Sequence, residues 1–456
     1  METRLFYCKR TDLTKEALLE REVIGVDDRV PVARAIPLGI QHVMSMFGAT
    51  VLVPILTGLS PSLAIMCSGI GTILYLLITR GKIPSYLGSS FAFISPILVV
   101  SAASGLDAAL SGIVAAGIVY MLIAVILKFA GTDWIHKLLP PVVVASVIVV
   151  IGVGLSGTAV KMALTSSTDV FVLKGFIAAI ITLAAAIIFT NFFKGIIATI
   201  PVLLAVIVGY IAAVFLGLVD FQPVIDAAWI GLPQLHHPSF DLGAVIIIAP
   251  VALVVVIEHI GHLLVVGEVV GKDYTSMLPR SLFGDGLATT VAGFLGGPPA
   301  TTYAENIGVM SVTKVYSTQV FWYAGAFALV IGGFVPKLGA LIQSIPVPVM
   351  GGVSLLLFGL IAANGLRMYV TNKVDFSVNK NLMIAATVLI VGIGMETTGI
   401  SIPMGNYVLP GMATAALLGI LLNAVLPSPG PSTLVPDTEQ AQPKAEELIE
   451  PKPEIK

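Results

Sequence analysis

The chain has 456 residues, of which 57% are hydrophobic and 11% charged. A soluble domain carries about 25% charged residues, so the composition excludes a soluble globular fold and indicates a polytopic membrane protein. A formal net charge of −2 excludes a strongly basic nucleic-acid binder, and Cys8 and Cys67 match no metal or redox spacing.

Residues 1–35 are polar and charged without an apolar stretch, which predicts a cytoplasmic N-terminal arm rather than a signal peptide. Seven apolar segments follow at 37–57, 62–79, 84–100, 107–128, 138–156, 171–192 and 195–217, a first repeat over 36–218. The stretch 219–240 contains Asp220 and Asp226 but no Lys or Arg and reads as an external loop. Seven further segments lie at 241–266, 282–296, 303–315, 318–335, 346–365, 380–396 and 408–426, a second repeat over 241–426. The third, ninth and tenth segments are short or interrupted by Gly, Pro and Ser. Residues 427–456 are rich in Pro and Glu and read as a disordered cytoplasmic tail.

Charge supports this count. With both ends cytoplasmic, only Lys161, Lys174 and Lys337 of the 24 Lys and Arg residues fall on the far side, a strong positive-inside pattern. The expectation is a multi-pass protein of the cytoplasmic membrane. The order of features also recurs. Gln41-His42 marks the first segment and Glu258-His259 the eighth. Phe91 follows Gln41 by 50 residues, Glu305 follows Glu258 by 47, and Pro141 and Pro348 open matching apolar runs. Seven spans per half force the second half to enter from the opposite face, which makes the repeat inverted, as in many secondary transporters.

Two segments are poor as continuous helices: 84–96, PSYLGSSFAFISP, and 297–310, GPPATTYAENIGVM. Extended backbone at membrane depth has to lie inside protein. These segments are predicted to pair as short antiparallel strands in spans three and ten, each opening into a half-helix. Two half-helix N-termini would aim free N–H groups at one midplane site, suited to a small ligand rich in carbonyl oxygens.

The stretch VVVIEHIGHLLVV places Glu258 and His262 at i, i+4 on one helix face, with His259 about 100° away. An intramembrane charge costs about 2.5–3.5 kcal/mol, so such residues need partners or a function. Removal from water disfavours the charged form of a carboxyl. Glu258 is therefore expected to bind and release a proton, and His262 to share or relay it. For His259 a bond to a neighbouring helix or backbone is the expectation. Glu305 opens a half-helix, where the dipole favours a carboxylate. Carboxylates accept hydrogen bonds and backbone amides donate them, so the set suits a ligand offering both N–H and C=O groups. Phe91 and Tyr303 add apolar faces, and a planar, amide-like heterocycle fits. The order Glu-His-x-x-His sets the two His at i, i+3, unlike the zinc-protease pattern. No metal, no cofactor beyond the coupling proton, and no enzymatic activity are expected.

The residues ENIGVMSVTK, 305–314, resemble the signature of the nucleobase–ascorbate transporter family, also called nucleobase:cation symporter-2. QHVMSMFGATVLVP (41–54), KIPSYLGSSFAFISP (82–96), EHIGHL (258–263) and PVMGGVSLLLFG (348–359) are similar to the same family, most of all to its bacterial uracil permease branch. The resemblance runs from about 24 to 426. It implies a fourteen-span fold with a core domain of spans 1–4 and 8–11, a gate domain of spans 5–7 and 12–14, a homodimer, and proton–uracil symport. Position by position it implies that Glu258 and Glu305 hydrogen-bond the pyrimidine and that the amides of Phe91 and Ala304 meet its carbonyls. Tyr303 lines the pocket, Ala49 approaches the ring, and His262 takes part in proton coupling. Ala304 stands where the branch is expected to have Gly, and Phe358 where it is expected to have Tyr. An acid at the first signature position points to uracil, whereas Gln would point to xanthine or ascorbate. The alternatives are the same carrier class with xanthine, uric acid or another nucleobase, and an anion exchanger on the same architecture. Two intramembrane acids argue against the exchanger.

Overall fold

In the computed structural model, residues 23–165, 170–404 and 407–427 are described. Each of the fourteen apolar segments carries helical structure. The first half comprises α1 (Val32–Ser45), α2 (Phe47–Thr57), α3 (Pro61–Ile78), strand β1 (Leu87–Ser89), α4 (Ile94–Ser104), α5 (Leu106–Ala130), α6 (Asp133–Leu138), α7 (Pro141–Gly154), α8 (Ser156–Leu164), α9 (Leu173–Phe192) and α10 (Pro201–Phe215). The short α11 (Gln222–Asp226) lies in the connecting loop. The second half comprises α12 (Leu242–Ile248), α13 (Ala252–Val270), α14 (Leu278–Leu295), strand β2 (Ala300–Thr302), α15 (Ala304–Thr313), α16 (Thr318–Phe334), α17 (Pro336–Gln343), α18 (Val347–Thr371), α19 (Asn379–Thr398), a hairpin of β3 (Ile402–Met404) and β4 (Tyr407–Leu409), and α20 (Gly411–Val425). Among the described residues seven helical stretches are long and apolar enough to cross a membrane, and two bent pairs, α1–α2 and α16–α17, bring this to nine.

Local chemistry sets the breaks. Gly296, at φ 87°, ends α14 in a left-handed cap. Pro298 and Pro299 then offer no N–H to continue a helix. Val335 precedes Pro336, a position biased away from helix, and the chain turns by 82° between α16 and α17. The ninth segment differs from expectation: α14 runs unbroken over 18 residues from Leu278. Its glycines and Asp285 lower its apolar character without interrupting it, because the helix is packed inside the protein.

The helices pack in two sets. In the first, α3 lies against α16, α5 against α14, and α14 also against α3. The crossings are close. A Cβ on Gly117 would sit 2.6 Å from the carbonyl oxygen of Gly286, and one on Gly69 would sit 2.4 Å from the amide of Leu329. Small residues at such crossings let backbones approach, the usual device for helix association in lipid. In the second set α7 packs on α18 and α19, α9 on α10 and α18, and α19 on α20. Contacts between the sets are sparse, chiefly α1 and α2 with α10, α2 with α18, α4 with α20, and α13 with α7.

Residues 24–30 are stitched to the first set. Ile24 forms a parallel bridge with Val315, through Ile24 N to Lys314 O at 2.9 Å and Tyr316 N to Ile24 O at 2.9 Å. Ser317 Oγ donates to Asp28 O at 2.6 Å, and Val30 N donates to Gln319 Oε1 at 2.9 Å. Of the arm read over 1–35, residues 1–22 lie outside the described residues, as do residues 428–456 of the tail read from 427.

Candidate functional site

The two broken segments meet. β1 and β2 pair antiparallel with Leu87 opposite Thr302, Gly88 opposite Thr301 and Ser89 opposite Ala300, and Ser90 N donates to Pro299 O at 2.9 Å. Side chains of the flanking helices fasten each strand. Thr72 Oγ1 accepts from Leu87 N at 3.0 Å and Ser68 Oγ donates to Leu87 O at 2.7 Å. Thr289 Oγ1 accepts from Ala300 N at 3.1 Å and donates to Ala300 O at 3.0 Å. These bonds satisfy backbone groups that have no water to turn to at this depth.

Each strand runs into a helical start without a side-chain cap. Ser90 is extended and leads into a single 3-10 turn, Phe91–Phe93, continued by α4. Tyr303 is extended and leads into α15. Neither Ser90 nor Tyr303 caps the helical turn that follows it, so the first-turn amides point away from the strand pair as candidate donors to a polar ligand. Tyr303 is buried and its hydroxyl donates to the carbonyl of Ser89, tying the two starts together. Phe91 is half-buried and meets Phe358 of α18 edge-on, with ring centroids 6.1 Å apart. Ala49 is buried in α2, and its neighbour Thr50 accepts from Ser89 Oγ through its carbonyl at 3.2 Å. Ala304 and Glu305 are exposed although strand β2 before them and Asn306 after them are buried, so both line an opening between packed elements.

Glu258 and His262 lie on one continuous helix, α13, both half-buried. α13 packs against α15, which carries Glu305, and against α14, which carries Asp285. His262 Nδ1 is 3.3 Å from Thr302 Oγ1 on β2. His259 turns elsewhere, as expected. Its Nδ1 is 2.9 Å from Asp285 Oδ2 and its Nε2 is 2.8 Å from Ser281 Oγ, which in turn is 2.6 Å from Tyr75 OH. The ring thus bridges Asp285 and Ser281, and Ser281 carries the chain of contacts on to Tyr75. His259 is fully engaged in fastening α13 to α14 and α3, and His262 is the more available imidazole.

Sequence reasoning assigns no role to Asp285, Asn306 or His42. Asp285 is fully buried beside His259. Asn306 Nδ2 reaches His42 Nδ1 at 2.9 Å and donates to His42 O at 3.0 Å, which pins α15 to α1. An acid inside the apolar run 282–296 is a visible signal. Its partner is not, because that partner comes from another helix.

A model of the Permease family matches residues 33–400. The chain is 48% identical over 416 residues to a uracil permease of Bacillus subtilis (strain 168), covering 89% of this chain and 95% of that relative. A uracil permease of Escherichia coli (strain K12) is 45% identical over 411 residues, covering 89% of this chain and 94% of that relative. Among solved structures, the transmembrane domain of a cyanobacterium bicarbonate transporter BicA is similar with a TM-score of 0.63, covering 87% of this chain and 98% of that one at 14% identity. At that identity the likeness bears on the fold alone.

Proposed function

The chain belongs to the permease family matched over residues 33–400, and from that premise we propose that it imports uracil across the cytoplasmic membrane in symport with protons. It is a transporter, not an enzyme, as its permease relatives are. The observation that carries the site is the convergence of two helical starts without N-cap side-chain bonds, at Phe91 and Ala304, with two acids, Glu258 and Glu305, on helices that pack together, α13 and α15. In this reading Glu258 and Glu305 accept the ring N–H groups, the amides of Phe91 and Ala304 donate to the ring carbonyls, and Tyr303 and Ala49 shape the pocket. Glu258 and His262 handle the coupling proton. Two carboxylates sharing one ligand disfavour simultaneous ionisation, so in this reading proton uptake and substrate binding reinforce one another. Moving one charge through 100 mV supplies about 2.3 kcal/mol, enough to concentrate substrate some tens of fold.

The same proposal holds the chain to be fourteen spans in two inverted halves. The packing supports it. The second span lies on the eleventh (α3 on α16), and its exchange-related pair, the ninth and fourth, lies likewise (α14 on α5). The sixth lies on the seventh (α9 on α10) as the thirteenth does on the fourteenth (α19 on α20). The first helix set is then a core that carries the site, and the second is a gate against which it moves. Both termini are cytoplasmic, and two copies associate through their gates.

The test is uptake of labelled uracil into proteoliposomes in competition with thymine, xanthine and uric acid, with and without a proton uncoupler. Uracil is expected to compete best, and accumulation to vanish with the uncoupler. Stronger competition by xanthine would move the cargo to the purine branch, and uncoupler-insensitive accumulation would remove the proton.

A further inference from the structure

We propose that Glu396 and Ser95 form a reversible clasp between gate and core that has to open whenever the carrier changes face. The inference rests on the core-and-gate reading above. Glu396 is an acid in the last turn of α19, outside the substrate site and unused by it. One of its oxygens, Oε1, accepts two hydrogen bonds: from Met412 N at 2.7 Å and from Ser95 Oγ at 3.0 Å.

The two donors belong to different bodies. Met412 lies in the first turn of α20, in the gate, where an uncapped amide faces a carboxylate favourably. Ser95 lies in the first turn of α4, in the core, four residues beyond Phe91. The gate also provides a slot for the acid. A Cβ on Gly154 of α7 would come 2.9 Å from Glu396 Cβ, and a Cβ on Gly411 would come 2.9 Å from Glu396 Cγ. No larger residue at either place leaves the side chain where it is. Glu396 is thus held by α7 and α20 on its own side and reaches across the seam with a single bond. That asymmetry is what a clasp needs: a fixed half, and a contact weak enough to break in every cycle. Next to it, β4 packs on α4 and α12, so the hairpin spans the same seam.

A cross-link tests the seam. In a background with Cys8→Ser and Cys67→Ala, Ser95→Cys and Glu396→Cys are joined by a bis-methanethiosulfonate reagent in proteoliposomes. Uracil binding is expected to survive cross-linking, uptake to stop, and uptake to return on reduction, while each single cysteine treated alike keeps transporting. A cross-linked carrier that transports at its untreated rate overturns the proposal. Because the untreated chain has to take up uracil first, failure of the functional reading and failure of the clasp are separately visible. A second comparison does not need the cysteines. Glu396→Gln keeps an oxygen that accepts both bonds and is expected to hold uptake within about twofold, whereas Ser95→Ala loses the crossing bond and is expected to change the uptake rate by up to about tenfold at unchanged Kd. If Glu396→Gln transports as poorly as Glu396→Ala, the charge rather than the bond is what counts, and the clasp is wrong.

Discussion

In the proposed function Glu258 and Glu305 divide one task by where they sit. Glu258 projects, half-buried, from an unbroken helix that packs against those of Glu305 and Asp285. Glu305 stands in the first turn of α15, at an opening, where backbone N–H groups favour its charge. In the proposed mechanism the first gives up and regains a proton, and the second stays in contact with ligand. Glu258→Gln is therefore expected to retain binding within about tenfold and to lose proton-driven accumulation, read as Kd by calorimetry beside uptake under a pH gradient. Full accumulation by that variant would take Glu258 out of coupling. Glu305→Ala should weaken uracil binding by about 1.5–3 kcal/mol, the range for a hydrogen bond to a charged group, and an unchanged Kd removes it from the site. The acids and both histidines were legible because ionisable residues stand out in an apolar chain. The division of labour between His259 and His262 was legible only as a helical angle, and the engagement of His259 by Asp285 and Ser281 needed the third dimension.

The element that decides the site is the strand pair. Its position was readable from Pro and Gly in two otherwise apolar segments, and its pairing from the requirement that extended backbone at membrane depth find partners. Its register was not, since register depends on side chains from α3 and α14 that grip each strand. Gly88 is the sensitive point. A Cβ there would fall 2.2 Å from Tyr303 Cε2 and 2.3 Å from Met46 Cε. Tyr303 cannot swing away without breaking its bond to Ser89 O. Gly88→Ala is expected to cost roughly 1–3 kcal/mol by overpacking and to appear both as a lower Tm and as a weaker uracil Kd. A change in Tm with no change in Kd would separate the strand pair from the ligand. The Val- and Ile-rich α7 teaches the converse. In water its β-branched run would favour a strand, but in lipid a lone segment satisfies its own backbone only as a helix.

At the scale of the molecule, hydropathy and the distribution of Lys and Arg carry the polytopic character and the proposed span count, and recurrence of short motifs carries the proposal of two halves. What they did not carry are features made where helices meet: α14 in its full length, the break before α17, the β3–β4 hairpin and the glycine slot around Glu396. Each depends on contacts between residues far apart in sequence, which no periodicity encodes. The proposed association through the gates predicts a mass of two chains by native mass spectrometry from lipid nanodiscs, and a single-chain mass would confine the carrier to a monomer.

The stitching of residues 24–30 to the 314–319 turn has a practical consequence. The start of the described chain is fastened to the helix set that bears the site, and its end, α20, is fastened to the other set. In the proposed core-and-gate movement, a fluorophore at Val23 and another at Pro427 would therefore ride on opposite bodies. Their separation would follow the stroke of the carrier, with no reporter placed inside the membrane.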